Sequence, residues 1–388
     1  MDYELLLNHT LQQVEPSGIR KFFDIANEMQ DVISLSVGEP DFSTPWHIRQ
    51  RGIETLEQGK TWYSPNAGLI ALRTAVSEYV ERHSHITYDP VSEIIITVGG
   101  SEAIDLFFRA TINAGDEVLI PEPSFVCYTP LVQMAGGVPV PLVTAEETDF
   151  RLTAEAVKQA ITPKTKLLVL PFPNNPTGAV MEREDLEQIA AVLRGTDILV
   201  LSDEIYGELT YTGKEHVSLA ALPDMQERTV IVSGFSKAFA MTGWRLGYAC
   251  GPAPVMKQML KLHQYGIMCA PTTAQHAAIE AMNNGEEDVE SMRAEYDMRR
   301  RFIVKELNDM GLTCFEPRGA FYAFPCIRST GLSSEEFCKR LLVEKHVAVV
   351  PGTAFGKSGE GFVRISYCYS VDHITEAMRR MRQFLAEL

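Results

Sequence analysis

The sequence predicts an α/β protein: a large domain built on a mostly parallel sheet with helices on both faces, joined to a smaller α+β domain. Three observations carry this. Short apolar runs rich in β-branched residues recur at 94–98, 118–120, 167–170, 198–202 and 230–233. Segments with helix-period apolar residues separate them, and strands apolar on both faces need helices packed on both. After a long charged helical segment at 286–308, the pattern changes to short strand-like runs at 319–325, 347–350 and 362–366. The resulting division is 46–280 for the large domain, with 1–45 and 281–388 forming the small one. Residues 1–45 supply an N-terminal arm, and its turn-rich Gly38-Glu39-Pro40-Asp41 is assigned to the small domain from chain order alone.

Composition narrows the function. A chain of 388 residues, 45% hydrophobic and 22% charged, has ample core for two domains. Its formal net charge of -16 disfavours a general phosphate-backbone binder, so nucleic acid is not an expected partner. The longest apolar runs, such as 167–171 and 198–201, fall far short of the roughly 20 residues that span a bilayer. Met1-Asp2-Tyr3-Glu4 shows no basic segment leading into a long apolar run. No secretory signal is visible there, and a cytoplasmic location is expected. The seven cysteines are scattered and never in C-x-x-C spacing, which argues against a disulfide framework and a zinc site. His83 and His85 could share one strand face as a metal pair, but no nearby Cys or acidic cluster completes a site. They are read as solvated, and no metal is expected.

In open α/β sheets ligands lie beyond the carboxyl ends of the strands, and four such ends carry chemistry. After 94–98 comes Gly99-Gly100-Ser101-Glu102-Ala103, where glycines permit a tight turn and a helix opens with free N–H groups, a cradle for a phosphate. The plainer alternative is a glycine turn with Ser101 as helix cap. After 167–170 comes Pro171-Phe172-Pro173-Asn174-Asn175-Pro176-Thr177-Gly178, whose prolines stiffen an amide-rich loop. After 198–202 come Asp203 and, three residues on, Tyr206. After 230–233 come Gly234-Phe235-Ser236-Lys237 and then Met241-Thr242-Gly243-Trp244-Arg245-Leu246-Gly247, a candidate amine nucleophile beside an anion clamp. Taken singly, a surface lysine, a capping aspartate and a core tyrosine are the ordinary readings.

Taken together, their order and spacing resemble the fold-type I pyridoxal-phosphate aminotransferases of class I/II. The likeness runs from Ser34-Leu35-Ser36-Val37-Gly38-Glu39-Pro40-Asp41-Phe42 to Phe362-Val363-Arg364-Ile365-Ser366-Tyr367. It implies a seven-stranded sheet in the large domain and pyridoxal 5'-phosphate as cofactor. It makes Lys237 the lysine that holds the cofactor covalently and shuttles the substrate's α-proton. A free amine near its reference pKa of about 10.4 is a poor base at neutral pH, so burial and Arg245 are expected to depress it. The resemblance further makes Asp203 the partner of the pyridinium nitrogen, Asn175 and Tyr206 the pair on the phenolic oxygen, and Phe125 the ring-stacking residue, with core packing as its alternative. The phosphate falls to Gly100, to the backbone N–H groups of Ser101 and Glu102, and to Arg245. A hydroxyl common in the family three residues before the lysine is replaced here by Gly234, for which Ser236 or Ser233 is expected to compensate. Tyr63 is similar to the tyrosine that reaches the neighbouring subunit's phosphate, which implies a homodimer with shared sites. Arg364, charged among apolar neighbours, matches the fork that grips the substrate α-carboxylate, helped by a backbone N–H of Gly38, whereas an internal ion pair is the alternative.

The implied activity moves the amino group of an L-amino acid to a 2-oxo acid such as 2-oxoglutarate by a ping-pong mechanism. Two other enzymes fit the same residues: an N-acetyl-LL-diaminopimelate aminotransferase and a carbon–sulfur β-lyase. A cofactor-binding regulator needs a DNA-binding extension, and only some thirty residues precede Ser34. In the aspartate-selective bacterial branch a lysine often stands at the position of Ser101, so aspartate, aromatic and related donors all remain open. Gly352-Thr353-Ala354-Phe355-Gly356-Lys357-Ser358 imitates a nucleotide loop but has three residues between its glycines where four are needed.

Overall fold

Alternate residues of a strand face opposite ways, and in the computed structural model the apolar runs use this to build one seven-stranded sheet buried on both sides. The structure describes residues 1, 3–4, 6–16, 18, 29 and 31–388. Asp2 of the N-terminal reading, and residues 5, 17, 19–28 and 30 of the proposed arm, lie outside the described residues. The strands are β1 (Ile33–Ser34), β2 (Ile94–Thr97), β3 (Glu117–Glu122), β4 (Val138–Val143), β5 (Thr165–Leu170) and β6 (Leu199–Asp203). They continue with β7 (Thr229–Gly234), β8 (Gly247–Cys250), β9 (Tyr322–Ala323), β10 (Val347–Ala348), β11 (Val350–Pro351) and β12 (Val363–Ser366).

The large sheet runs β2-β8-β7-β6-β5-β3-β4, and β8 alone is antiparallel to its neighbours. The carboxyl ends of β2, β3, β5, β6 and β7 therefore meet at one edge. Ile95, Val169, Leu201 and Val232 pack on one face against Phe107, Phe108, Met256 and Met259, from helices Gly99–Thr111 and Ala253–Gly266. Ile94, Ile96 and Ile231 pack on the other face with helices Ile70–Ser84 and Thr272–Asn284, and Leu168, Leu170 and Val200 pack there with Arg183–Leu193.

In the large sheet two strands were not foreseen, and neither was β1. β4 reads Val-Pro-Val-Pro-Leu-Val, and its prolines lack ladder donors; it survives because it is the edge strand, paired only with β3. β8 holds only Gly-Tyr-Ala-Cys, a weak strand former, but it is fully buried and paired on both sides. The run at 347–350 splits between two sheets: β10 pairs with β1, and β11 pairs with β12. Of 319–325 only β9 is strand, because Gly319 is drawn to the Gly178 carbonyl and to Thr210. These small sheets share a core with helices Glu286–Asp309, Ser334–Lys345 and Val371–Ala386.

The strand-face reading of His83 and His85 is corrected. His83 lies in the last turn of helix Ile70–Ser84, stacked on Tyr79 with ring centroids 4.1 Å apart, and His85 is its left-handed cap at φ 56°. Among the described residues no group of three or more His, Cys, Asp or Glu is arranged to hold a metal. The nucleotide-loop imitation folds into two 3-10 turns, Gly352–Phe355 and Lys357–Gly359, after a strand that pairs antiparallel. Among the described residues no helix is long and apolar enough to cross a membrane.

Candidate active site

A cleft of about 630 Å³ opens where the strand ends converge. Its lining includes Gly38, Gly100, Ser101, Phe125, Asn175, Asp203, Tyr206, Ser236, Lys237, Arg245 and Arg364. The fold thus brings eleven of the thirteen anticipated side chains or turns to one place. Glu102 stands just behind the cradle, its carboxylate accepting from the Val98 N–H and facing His263. Tyr63 is 78% exposed and lies away from the lining of its own chain's cleft.

The strand end of β2 turns sharply at Gly99, whose φ of +76° suits glycine, and a Cβ there would lie 2.7 Å from Nη2 of Arg245. The turn and the guanidinium therefore occupy the same corner. Helix Gly99–Thr111 has Val98 at its N-cap and no side-chain cap, so its first N–H groups are free for an anion. Ser101 is not the cap; it sits inside the first turn, exposed toward the cleft. Ser236 lines the cleft, whereas Ser233 points behind the sheet, with its hydroxyl donating to the Glu204 carbonyl and its side chain on a separate cavity. Of the two serines considered in place of the missing hydroxyl, only Ser236 is positioned for it.

β6 ends with Asp203 facing the cleft, while Glu204 faces the other way, bonded by Ser202 and Ser218. Asp203 accepts from the Tyr128 hydroxyl at 2.7 Å and from the Ile205 N–H at 3.2 Å. Burial raises its pKa from 3.8 to about 6, against the pull of those two hydrogen bonds. Tyr128 was missed because its signal, an aromatic at the start of a short helix, reads as core.

The wholly buried loop after β5 divides labour between its asparagines. Asn174 accepts from the N–H and hydroxyl of Thr177 and holds the loop shut, leaving Asn175 to accept from Arg364 Nη1 at 2.9 Å. Arg364 lies on β12 over the rings of Tyr322 and Phe355, at 4.6 and 4.8 Å from their centroids, and Nη2 donates to the Ser36 carbonyl. Its Nε is buried without a partner, and among the described residues no carboxylate pairs with it. The internal ion pair considered for it is absent, which leaves a desolvated cation aimed at the cleft. Tyr322, also unforeseen, meets the Tyr206 hydroxyl at 2.8 Å.

The 34–42 segment crosses the cleft because β1 pairs with β10 and Asp41 bonds Arg299 at 2.8 Å. This sets the Gly38 carbonyl to accept from Lys237 Nζ at 2.7 Å, and a Cβ on Gly38 would meet the Tyr322 hydroxyl at 1.8 Å. Burial pushes the Lys237 pKa down from 10.5 to about 8, with Arg364 and Arg245 adding to the fall and Cys368 and Glu39 opposing it.

A lysine with a depressed pKa, a buried carboxylate, an arginine fork with no carboxylate partner among the described residues and an uncapped helix turn make a site for an anionic amine-bearing substrate. Comparison with known proteins agrees, since the profile of aminotransferase class I and II matches residues 30–381. The chain belongs to the class I and II aminotransferase family. This aminotransferase is 53% identical over 379 residues, 98% of each chain, to YugH of Bacillus subtilis (strain 168), a protein named for aminotransferase activity without a substrate. It is 48% identical over 385 residues, 99% of each chain, to an aspartate aminotransferase of Pyrococcus abyssi. The crystal structure of an aromatic aminotransferase from Pyrococcus horikoshii superposes with a TM-score of 0.90 at 46% identity, covering 94% of this chain and 99% of that one. The aminotransferase is thus a transferase with the family's α/β fold.

Proposed function

We propose that this enzyme holds pyridoxal phosphate on Lys237 and moves the amino group of an L-amino acid, with aspartate and aromatic amino acids as the leading donors, to a 2-oxo acid such as 2-oxoglutarate. The observation that carries the reading is the Lys237 amine, at about 8 instead of 10.5, in the same cleft as the Arg364 guanidinium, whose Nε is buried without a partner. The residues present fit the cofactor: the Gly99 turn and the Arg245 guanidinium share one corner, where a Cβ on Gly99 would lie 2.7 Å from Nη2, and Lys237 has no carboxylate partner among the described residues. When bound, the cofactor supplies an electron sink for the carbanion left at the substrate's α-carbon.

The chain's own groups supply the rest. Lys237 takes the α-proton and returns it, a task suited to an amine near neutrality. Asp203, buried and charged with the help of Tyr128, keeps a ring nitrogen protonated. Asn175 and Tyr206 would hold the cofactor's phenolic oxygen, and Phe125 would pack against its ring. Gly100, Ser101 and Glu102 through their backbone, with Ser236 and Arg245, grip the phosphate. Arg364 forks onto the α-carboxylate beside Asn175, with the Gly38 N–H on the same group.

A homodimer completes the site through Tyr63. Support comes from an exposed apolar patch of Trp62, Tyr63, Tyr265, Ile267 and Met268, knitted together by Thr272 donating to the Trp62 carbonyl and Asn66 to that of Met268. Seven unbridged cysteines suit a reducing, cytoplasmic setting.

A panel of amino donors against 2-oxoglutarate tests the reading and ranks the substrates, with N-acetyl-LL-diaminopimelate included. Lys237→Ala should lose turnover and the yellow chromophore together. Given an amino acid alone, the enzyme should release one equivalent of 2-oxo acid per site and stop; continuous pyruvate and ammonia would make it a β-lyase instead.

A further inference from the structure

We infer that His263 is a positioning residue for the phosphate cradle, acting through Glu102; this rests on the reading of the 99–102 turn as the seat of the cofactor's phosphate. His263 is fully buried on helix Ala253–Gly266, which packs against helix Gly99–Thr111 and does not reach the cleft. Its Nδ1 lies 2.7 Å from Glu102 Oε1. The other carboxylate oxygen of Glu102 accepts from the N–H of Val98, the residue that enters the turn. A carboxylate only accepts, so Nδ1 donates.

The other imidazole nitrogen, Nε2, is buried without a hydrogen-bond partner. A ring that leaves half its polar capacity unused in an apolar site is a net cost, and an aliphatic side chain would fill the space without it. The contact with Glu102 is thus what distinguishes histidine from a plain core residue here.

That contact has a specific consequence. A glutamate in the first turn of a helix is drawn to the free N–H groups and positive dipole end of that same turn. Left untethered, Glu102 would compete with the phosphate for those donors and set its negative charge beside a dianion. His263 holds the carboxylate back on Val98, so the N–H groups of the turn stay open toward the cleft. It also fixes the turn beside the Arg245 guanidinium, which lies next to Gly99.

The test measures dissociation constants of the full-length, cofactor-stripped chain for pyridoxal phosphate and pyridoxal by chromophore absorbance, and for inorganic phosphate by competition. His263→Leu should weaken pyridoxal phosphate and inorganic phosphate at least tenfold while pyridoxal stays within twofold. His263→Asn, whose amide nitrogen stands where Nδ1 stood, should recover most of the loss, and His263→Gln, whose amide stands where Nε2 stood, should not. Should the leucine variant fail to fold, the asparagine and glutamine pair decides, and equal affinities in those two would overturn the inference. So would a leucine variant that keeps both phosphate-bearing affinities, or one that loses pyridoxal equally. Failure of the parent enzyme to form the chromophore at all would instead bring down the cofactor reading, and this inference with it.

Discussion

Lys237 shows how much of the chemistry rests on environment. An amine on a Gly-Phe-Ser-Lys loop has an ordinary pKa until the cleft desolvates it and two arginines face it. Lowering from 10.5 to about 8 means half the amines are neutral near pH 8. Covalent capture of pyridoxal phosphate by the stripped enzyme should therefore accelerate with pH and level off above about 8; a rate still climbing past pH 10 would contradict the assigned environment. The same shift bears on stability with a definite sign. The folded state resists protonating this lysine, so the penalty is present below about pH 8 and is relieved as pH rises toward 10.5. Arg364 makes the second residue-scale prediction. Arg364→Lys keeps the charge but loses the planar fork that now spans Asn175 and the Ser36 carbonyl. Substrate KM should rise roughly 10- to 100-fold, about 1.4 to 3 kcal/mol, with a smaller change in kcat. Unaltered Michaelis constants would show that this arginine does not hold the carboxylate. Lysine, aspartate, asparagine and arginine were all legible in the sequence because each sits in a short, distinctive phrase. Tyr128, Tyr322 and His263 were not, since an aromatic or a lone histidine at helical or strand spacing looks like core until its partner is seen.

At the scale of elements, the strand-loop units carry the site. Three of the apolar runs end in loops of distinct composition: glycine at φ +76° after β2, a proline-stiffened asparagine loop after β5, and Phe235-Ser236-Lys237 after β7. Gly99→Ala tests the first of these. A side chain there is strained by about 1 to 2 kcal/mol and pushes the Arg245 guanidinium aside, so phosphate binding suffers first. Isothermal titration should show at least tenfold weaker cofactor binding, with far-UV circular dichroism unchanged; full cofactor affinity would mean the turn is not the seat of the phosphate. Local pattern was sufficient for the long apolar strands. It failed for β4, whose prolines read as loop, and for β8, a four-residue Gly-Tyr-Ala-Cys segment that acquires strand geometry from two flanking partners. It also failed for the 347–350 run, which serves two different sheets.

For the whole molecule, the proposed dimer accounts for two facts at once: a broad apolar patch around Trp62 and Tyr265, and a tyrosine that its own cleft does not use. Sedimentation should give a particle of two chains, and Tyr265→Asp should dissociate it and abolish activity together. Tyr63→Phe should loosen the cofactor while leaving the particle mass unchanged; a fully active single chain would refute the shared site. What the sequence alone determined was the inventory: strand-forming runs, the loops that follow them, and the reactive side chains those loops carry, because each depends on neighbours within a few residues. Only the tertiary structure decided which of them meet. Arg364 finds Asn175 across 189 residues of chain and Tyr128 finds Asp203 across 75, and such contacts arise when the packed core brings strand ends to one edge. No local propensity records that convergence, because the free energy that enforces it belongs to the burial of the whole sheet between its helices.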